Sequence, residues 1–119
     1  MIRAWLVIAG LGGLASVVAG AFAAHLADDP KAAELLRTGA LYGMVHAAAL
    51  IATIALAQGR RRAAIVAGCS FAAGIVLFSG SLFALAAGGP RWLGGATPFG
   101  GVALMLGWAA LGSLAFRRR

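Results

Sequence analysis

His46 lies inside a long apolar run, with Tyr42 four residues before it, so a helix would place both rings on one face. An ionisable side chain at membrane depth is costly and is often kept for function. His46 therefore admits a proton-linked site, a haem or metal ligand, or a contact to a polar ligand. The plainer reading is a neutral imidazole hydrogen-bonded across helices, with Tyr42 as its local partner. His25 stands near the end of an earlier apolar run, where water reaches it. At about 1.5 Å of rise per residue the two imidazoles differ in depth, which argues against one metal held by both. Ser79 and Ser81 flank Gly80 in the segment Phe78 to Phe83. Their hydroxyls can bond back to their own helix, or across to His46 or another span. The candidate ligand set is thus Tyr42, His46, Ser79, Ser81 and His25.

A catalytic serine needs a base and an orienting acid at the same depth. The chain has only three acidic residues, Asp28, Asp29 and Glu34, and none lies within an apolar run. No nucleophile, base and acid come together, so no enzyme activity, metal or cofactor is expected. The single cysteine, Cys69, excludes an intrachain disulfide, a CxxC pair and a cysteine-built zinc site. In its apolar run it reads as a small packing residue.

The elements that must carry these residues are written in the composition. The 119 residues are 62% hydrophobic and only 11% charged, with a mean hydropathy of +0.95. A small soluble domain keeps much of its surface in water and has nowhere to hide such a surplus. Four apolar stretches, at about 4–26, 39–57, 63–87 and 99–116, contain no Asp, Glu, Lys or Arg. Each is long enough for a helix to cross the hydrocarbon core, where the backbone must satisfy its own hydrogen bonds. The expected fold is all-α: four transmembrane helices in a compact antiparallel bundle forming one domain.

The connections agree with this. Asp29 and Pro30 offer an N-cap and a first helical residue, opening a short interfacial helix at about 30–37. The stretch from Gly59 to Arg62 allows only a tight hairpin. Residues 88–95 are rich in breakers, and Thr97 and Pro98 repeat the cap-and-proline start for the last helix. An alternative for the first span, a cleaved signal peptide ending near Ala21-Phe22-Ala23, meets an apolar run that is long for that purpose.

The formal charge of +7 sits in short blocks at the ends of the runs. Arg3, Arg60-Arg61-Arg62 and Arg117-Arg118-Arg119 fall on one face of an alternating bundle. Lys31, Arg37 and Arg91 fall on the other, beside all the acids. The positive-inside rule puts both termini in the cytoplasm. Such blocks attract anionic lipid headgroups and do not form the wettable basic face that nucleic acid needs. Trp5, Trp92 and Trp108 suggest interfacial belts, although Trp108 stands about half-way along its span.

Small residues recur every four positions: Gly12, Ser16, Gly20 and Ala24 in the first span, Gly39, Gly43 and Ala47 in the second. Gly80, Ala84 and Gly88 do the same in the third. Such stripes let helix backbones approach closely, either within one bundle or against a second copy or another membrane protein.

Several segments together resemble a known family. Gly20 to His25 is similar to the GAFGAH element of the small membrane proteins called DUF423 or UPF0382, related to transmembrane protein 256. Thr38 to Leu50, with Tyr42, His46, Ala47 and Leu50, resembles its TA-x-x-Y-x-x-x-H-A-x-A-L stretch. Phe78 to Leu82 resembles F-S-G-S-L, and Pro98 to Trp108 the closing P-x-G-G…G-W. Ala23 stands where the family usually has Gly, and Gly43 where Gln often follows the Tyr. The resemblance implies a four-span protein of the bacterial inner membrane and assigns no activity. The expected role is a non-enzymatic structural or accessory component, packing with itself or in a larger membrane complex. The alternative is a small carrier or ligand-binding protein built on the His, Tyr and Ser cluster.

Overall fold

The computed structural model describes residues 1–56 and 61–116, apart from the side chain of Arg61. The tight hairpin expected at Gly59 to Arg62 falls largely on residues outside the described ones, as do Arg60, Arg117, Arg118 and Arg119. The described residues form four helical spans in a molecule measuring 53 × 24 × 21 Å. The first is α1 (Ile2–His25) and the second α2 (Pro30–Leu56). The third combines α3 (Arg61–Gly74), a π turn (Ile75–Ser79) and α4 (Gly80–Ala86). The fourth is α5 (Leu93–Ser113), closed by a 3-10 turn at Leu114–Phe116.

The burial pattern inverts that of a soluble bundle. Leu6, Val7, Leu11, Leu14, Val17 and Val18 of α1 are all exposed, as are Val102, Met105 and Leu106 of α5. Alanines, glycines and a few polar side chains, among them Ser16, His46, Thr53, Ser79 and Ser81, fill much of the interior around a small set of large apolar residues that includes Leu50 and Phe71. With lipid outside there is no hydrophobic drive between helices, so close backbone approach and internal hydrogen bonds hold them together. The exposed apolar belt is the surface that the bilayer covers.

Glycines set the crossings. A Cβ at Gly107 would stand 2.6 Å from the Phe71 ring, one at Gly74 would meet Leu104, and one at Gly100 would strike the backbone at Leu77 and Phe78. These three contacts seat α5 on the third span. On the other side α1 packs chiefly on α2, and α2 on the third span, so α2 and the third span form the centre. Gly43 faces the hydroxyls of Ser16 and Ser79, and Gly39 lies against the Phe83 ring.

Four local expectations change. The interfacial helix at 30–37 and the second span are one continuous helix, because Pro30 is its first residue and nothing after it breaks the ladder. Asp29 caps it as anticipated, its Oδ1 accepting the Lys31 N–H at 3.1 Å. The last helix begins at Leu93, so Pro98 sits inside it and Thr97 is not its cap. The connection before it is correspondingly short, with Gly88 at φ +91° turning the chain away from α4. Trp5 is buried against Gly68 rather than lying in an interfacial belt, whereas Trp92 is exposed. Cys69 is exposed on α3, facing outward.

Candidate functional site

α2 carries His46 into the bundle a little past its midpoint, where the ring is buried. Its Nδ1 lies 2.6 Å from the carbonyl oxygen of Tyr42, one turn earlier. The indole Nε1–H of Trp108 donates to its Nε2 at 2.9 Å. Indole nitrogen can only donate, so Nε2 must accept, and the ring hydrogen must sit on Nδ1, donating to Tyr42. The bond pattern is that of a neutral Nδ1–H imidazole with both nitrogens engaged.

Aromatic rings enclose this bridge. Tyr42 stacks on His46 at 5.9 Å between centroids and tilts against Phe78 at 4.8 Å. Phe71 lies 5.8 Å from His46 and meets Trp108 edge-on at 5.2 Å. Phe71 reaches that position because Gly107, beside Trp108, leaves room for its ring. The bridge therefore ties α2 to α5 across the face of α3.

The remaining candidates lie elsewhere. The Ser79 hydroxyl donates to the Gly39 carbonyl at 2.8 Å, joining the third span to α2. Ser81 Oγ lies 2.6 Å from Thr97 Oγ1 and 2.9 Å from the Phe78 carbonyl, joining the third span to α5. Ser16 donates to its own helix at Gly12, 2.6 Å away. His25 is exposed in the last turn of α1. So Tyr42 and His46 are together, while the hydrogen bonds of Ser79 and Ser81 serve two other seams. Among the described residues no group of three His, Cys, Asp or Glu comes together to hold a metal.

The stripe residues divide in the same way. A Cβ at Gly12 would stand 2.9 Å from Ile75 and one at Gly20 would stand 3.8 Å from Ala40, while one at Gly39 or Gly43 would meet the third span. Gly80 has open space where a Cβ would be, and Ala84 is half-buried. Gly43 also gains a reason: a side chain there would overlap Ser16, so a glutamine in that place could not sit against this α1.

Three contributors went unrecognised in the sequence: Trp108, Phe71 and Thr97. Trp108 did leave a signal. An indole N–H half-way along a span has no water to bond and must find an acceptor among neighbouring helices.

Comparison with known proteins now adds to the geometry. A family profile described as "Protein of unknown function (DUF423)" matches residues 19–101, which hold Tyr42 and His46 but not Trp108. A "UPF0382 membrane protein" of Haemophilus influenzae is 35% identical over 97% of this chain and 95% of its own. "UPF0382 inner membrane protein YgdD" of Escherichia coli is 36% identical over 98% of this chain and 94% of its own. "UPF0382 membrane protein YwdK" of Bacillus subtilis is 36% identical, covering 89% of this chain and 90% of its own. No solved structure matches the chain. With a matching profile over most of its length, full-length relatives of one name and four helices able to span a bilayer, this chain belongs to the DUF423/UPF0382 family of membrane proteins.

Proposed function

We propose that the protein is a non-enzymatic structural or accessory component of the bacterial inner membrane, held as a rigid bundle and packing with itself or with a larger complex. The observation that carries this reading is the His46 bridge. The one buried imidazole has both nitrogens committed to protein partners, Tyr42 and Trp108, which is what a crosslink needs and a carrier or ligand does not. The remaining buried hydroxyls are likewise spent on seams between helices or on their own helix carbonyls. The Escherichia coli relative's name supports the inner membrane. The distribution of arginines supports cytoplasmic termini, with the Arg60–Arg62 and Arg117–Arg119 blocks against anionic headgroups.

A second reading, a small carrier or ligand-binding protein, draws on one observation. Tyr42 and Trp108 remain 42% and 45% exposed, so the aromatic cluster opens toward the outside of the bundle. Gentle extraction from the native membrane followed by native mass measurement separates the two. The structural reading expects a stoichiometric partner or a homo-oligomer, with no solute or proton flux when the protein is placed in liposomes. A monomer whose flux disappears in His46→Ala would overturn it in favour of the carrier.

A further inference from the structure

Three cavities adjoin through shared lining residues, two of them between α1 and α4 and the third between the first turns of α2 and the end of α4. One of about 430 Å³ is walled by Ala15, Ala19, Phe22, Phe83, Ala86 and Ala87, all apolar. A second, about 260 Å³, continues it toward the bundle centre and shares Ala15 and Phe83 with the first. A third, about 450 Å³, meets the first at Ala86, is walled by Ala32, Leu35 and Leu85, and carries Asp29, Lys31 and Arg91. The groove is thus oily along its length and charged at one mouth. That mouth lies where α2 begins and α4 ends, at the depth of the exposed Trp92, which is where headgroups sit.

We infer that this groove is a phospholipid site, taking an acyl chain between α1 and α4 and an anionic phosphodiester headgroup between Lys31 and Arg91, on the face opposite the termini. The charges at the mouth decide the headgroup. Lys31 and Arg91 face one carboxylate, Asp29, whose Oδ1 already accepts the Lys31 backbone N–H. The other charged residues of that face, Asp28, Glu34 and Arg37, do not line it. One net positive charge remains, which a phosphodiester with an uncharged polar head, such as phosphatidylglycerol, neutralises. A zwitterionic head leaves it uncompensated. The apolar walls exclude a free phosphate as the natural occupant, since it would use only the mouth. This site is separate from the arginine blocks on the terminal face and makes no use of His46.

The test is native mass spectrometry of the full-length protein in detergent, titrated with phosphatidylglycerol, phosphatidylethanolamine or phosphatidylcholine at equal concentrations. Phosphatidylglycerol should be retained about tenfold more than either zwitterionic lipid. Lys31→Gln combined with Arg91→Gln should abolish that preference. Ala15→Phe, which fills the groove at an exposed position, should weaken all three lipids while the unfolding midpoint stays put. Inorganic phosphate should not displace the lipid. Equal retention of the three lipids, displacement by phosphate, or full phosphatidylglycerol retention in both variants would overturn the proposal.

Discussion

An indole N–H inside a bilayer cannot fall back on water, and neither can an imidazole nitrogen, so the Trp108–His46 pair solves two problems with one bond. Trp108→Phe keeps the ring and removes the donor, leaving His46 Nε2 buried without a partner. The expected cost is about 1 kcal/mol in detergent unfolding, since hydrogen bonds between membrane helices are modest in measured terms. Ser79→Ala, which removes the bond to the Gly39 carbonyl, should cost a similar ~1 kcal/mol. Half of this site was legible beforehand. Tyr42 and His46 are four apart on one helix, and periodicity alone makes them neighbours. The partner on α5 is 62 residues away, and no local pattern specifies a contact set by how three helices cross.

Among the elements, the π turn at Ile75–Ser79 has the largest consequence. It adds one residue to the third span, and one residue turns a helix by about 100°. With that offset, Ser79 faces Gly39 on α2 while Ser81 faces Thr97 on α5. Deleting Val76, which points outward, should restore plain α-helix and keep Ser81 and Leu82 on their partners, because five residues of π turn rotate the chain about as far as four of α-helix. The unfolding free energy should then change by less than about 1 kcal/mol, and a fall of more than about 2 kcal/mol, the size of losing the Leu82 burial and the bond to Thr97, would contradict this. The glycine contacts make a paired prediction. Gly107→Ala drives a methyl into the Phe71 ring and should destabilise by about 1–3 kcal/mol. Gly10→Ala, where nothing lies within 4 Å, should be neutral or stabilising by up to about 1 kcal/mol. The four spans were evident from apolar length, a constraint that lipid enforces. The π turn, the unbroken α2 and the early start of α5 were not, because interior packing decided them against local breaker signals.

At the scale of the whole molecule, the bundle turns many of its large apolar side chains outward and buries small and polar ones around a few large ones, chiefly Phe71 and Leu50. That arrangement uses up part of the small-residue surface within the monomer. A leucine at Gly12 would overlap Ile75 of the same chain, so Gly12→Leu should lower the unfolding midpoint even in monomeric preparations. Among the described helical residues, Gly10, Gly13, Gly80, Gly94, Gly95 and Gly112 have open space instead, and these are glycines left for contact with another helix. Gly10→Leu should therefore leave the midpoint nearly unchanged and reduce any stoichiometric association seen on gentle extraction. Net charge and its blocks were readable from the sequence, whereas which glycines face inward depended on the rotation of each helix, which a near-uniform apolar sequence does not encode.

Whether His46 is a crosslink is tested most directly by nitrogen magnetic resonance of histidine-labelled protein in lipid bilayers. The expected His46 ring has its hydrogen on Nδ1 and a bare Nε2 coupled to the Trp108 indole N–H. A ring hydrogen on Nε2, or an imidazolium with both nitrogens protonated, would contradict the crosslink and return His46 to the list of proton-carrying residues.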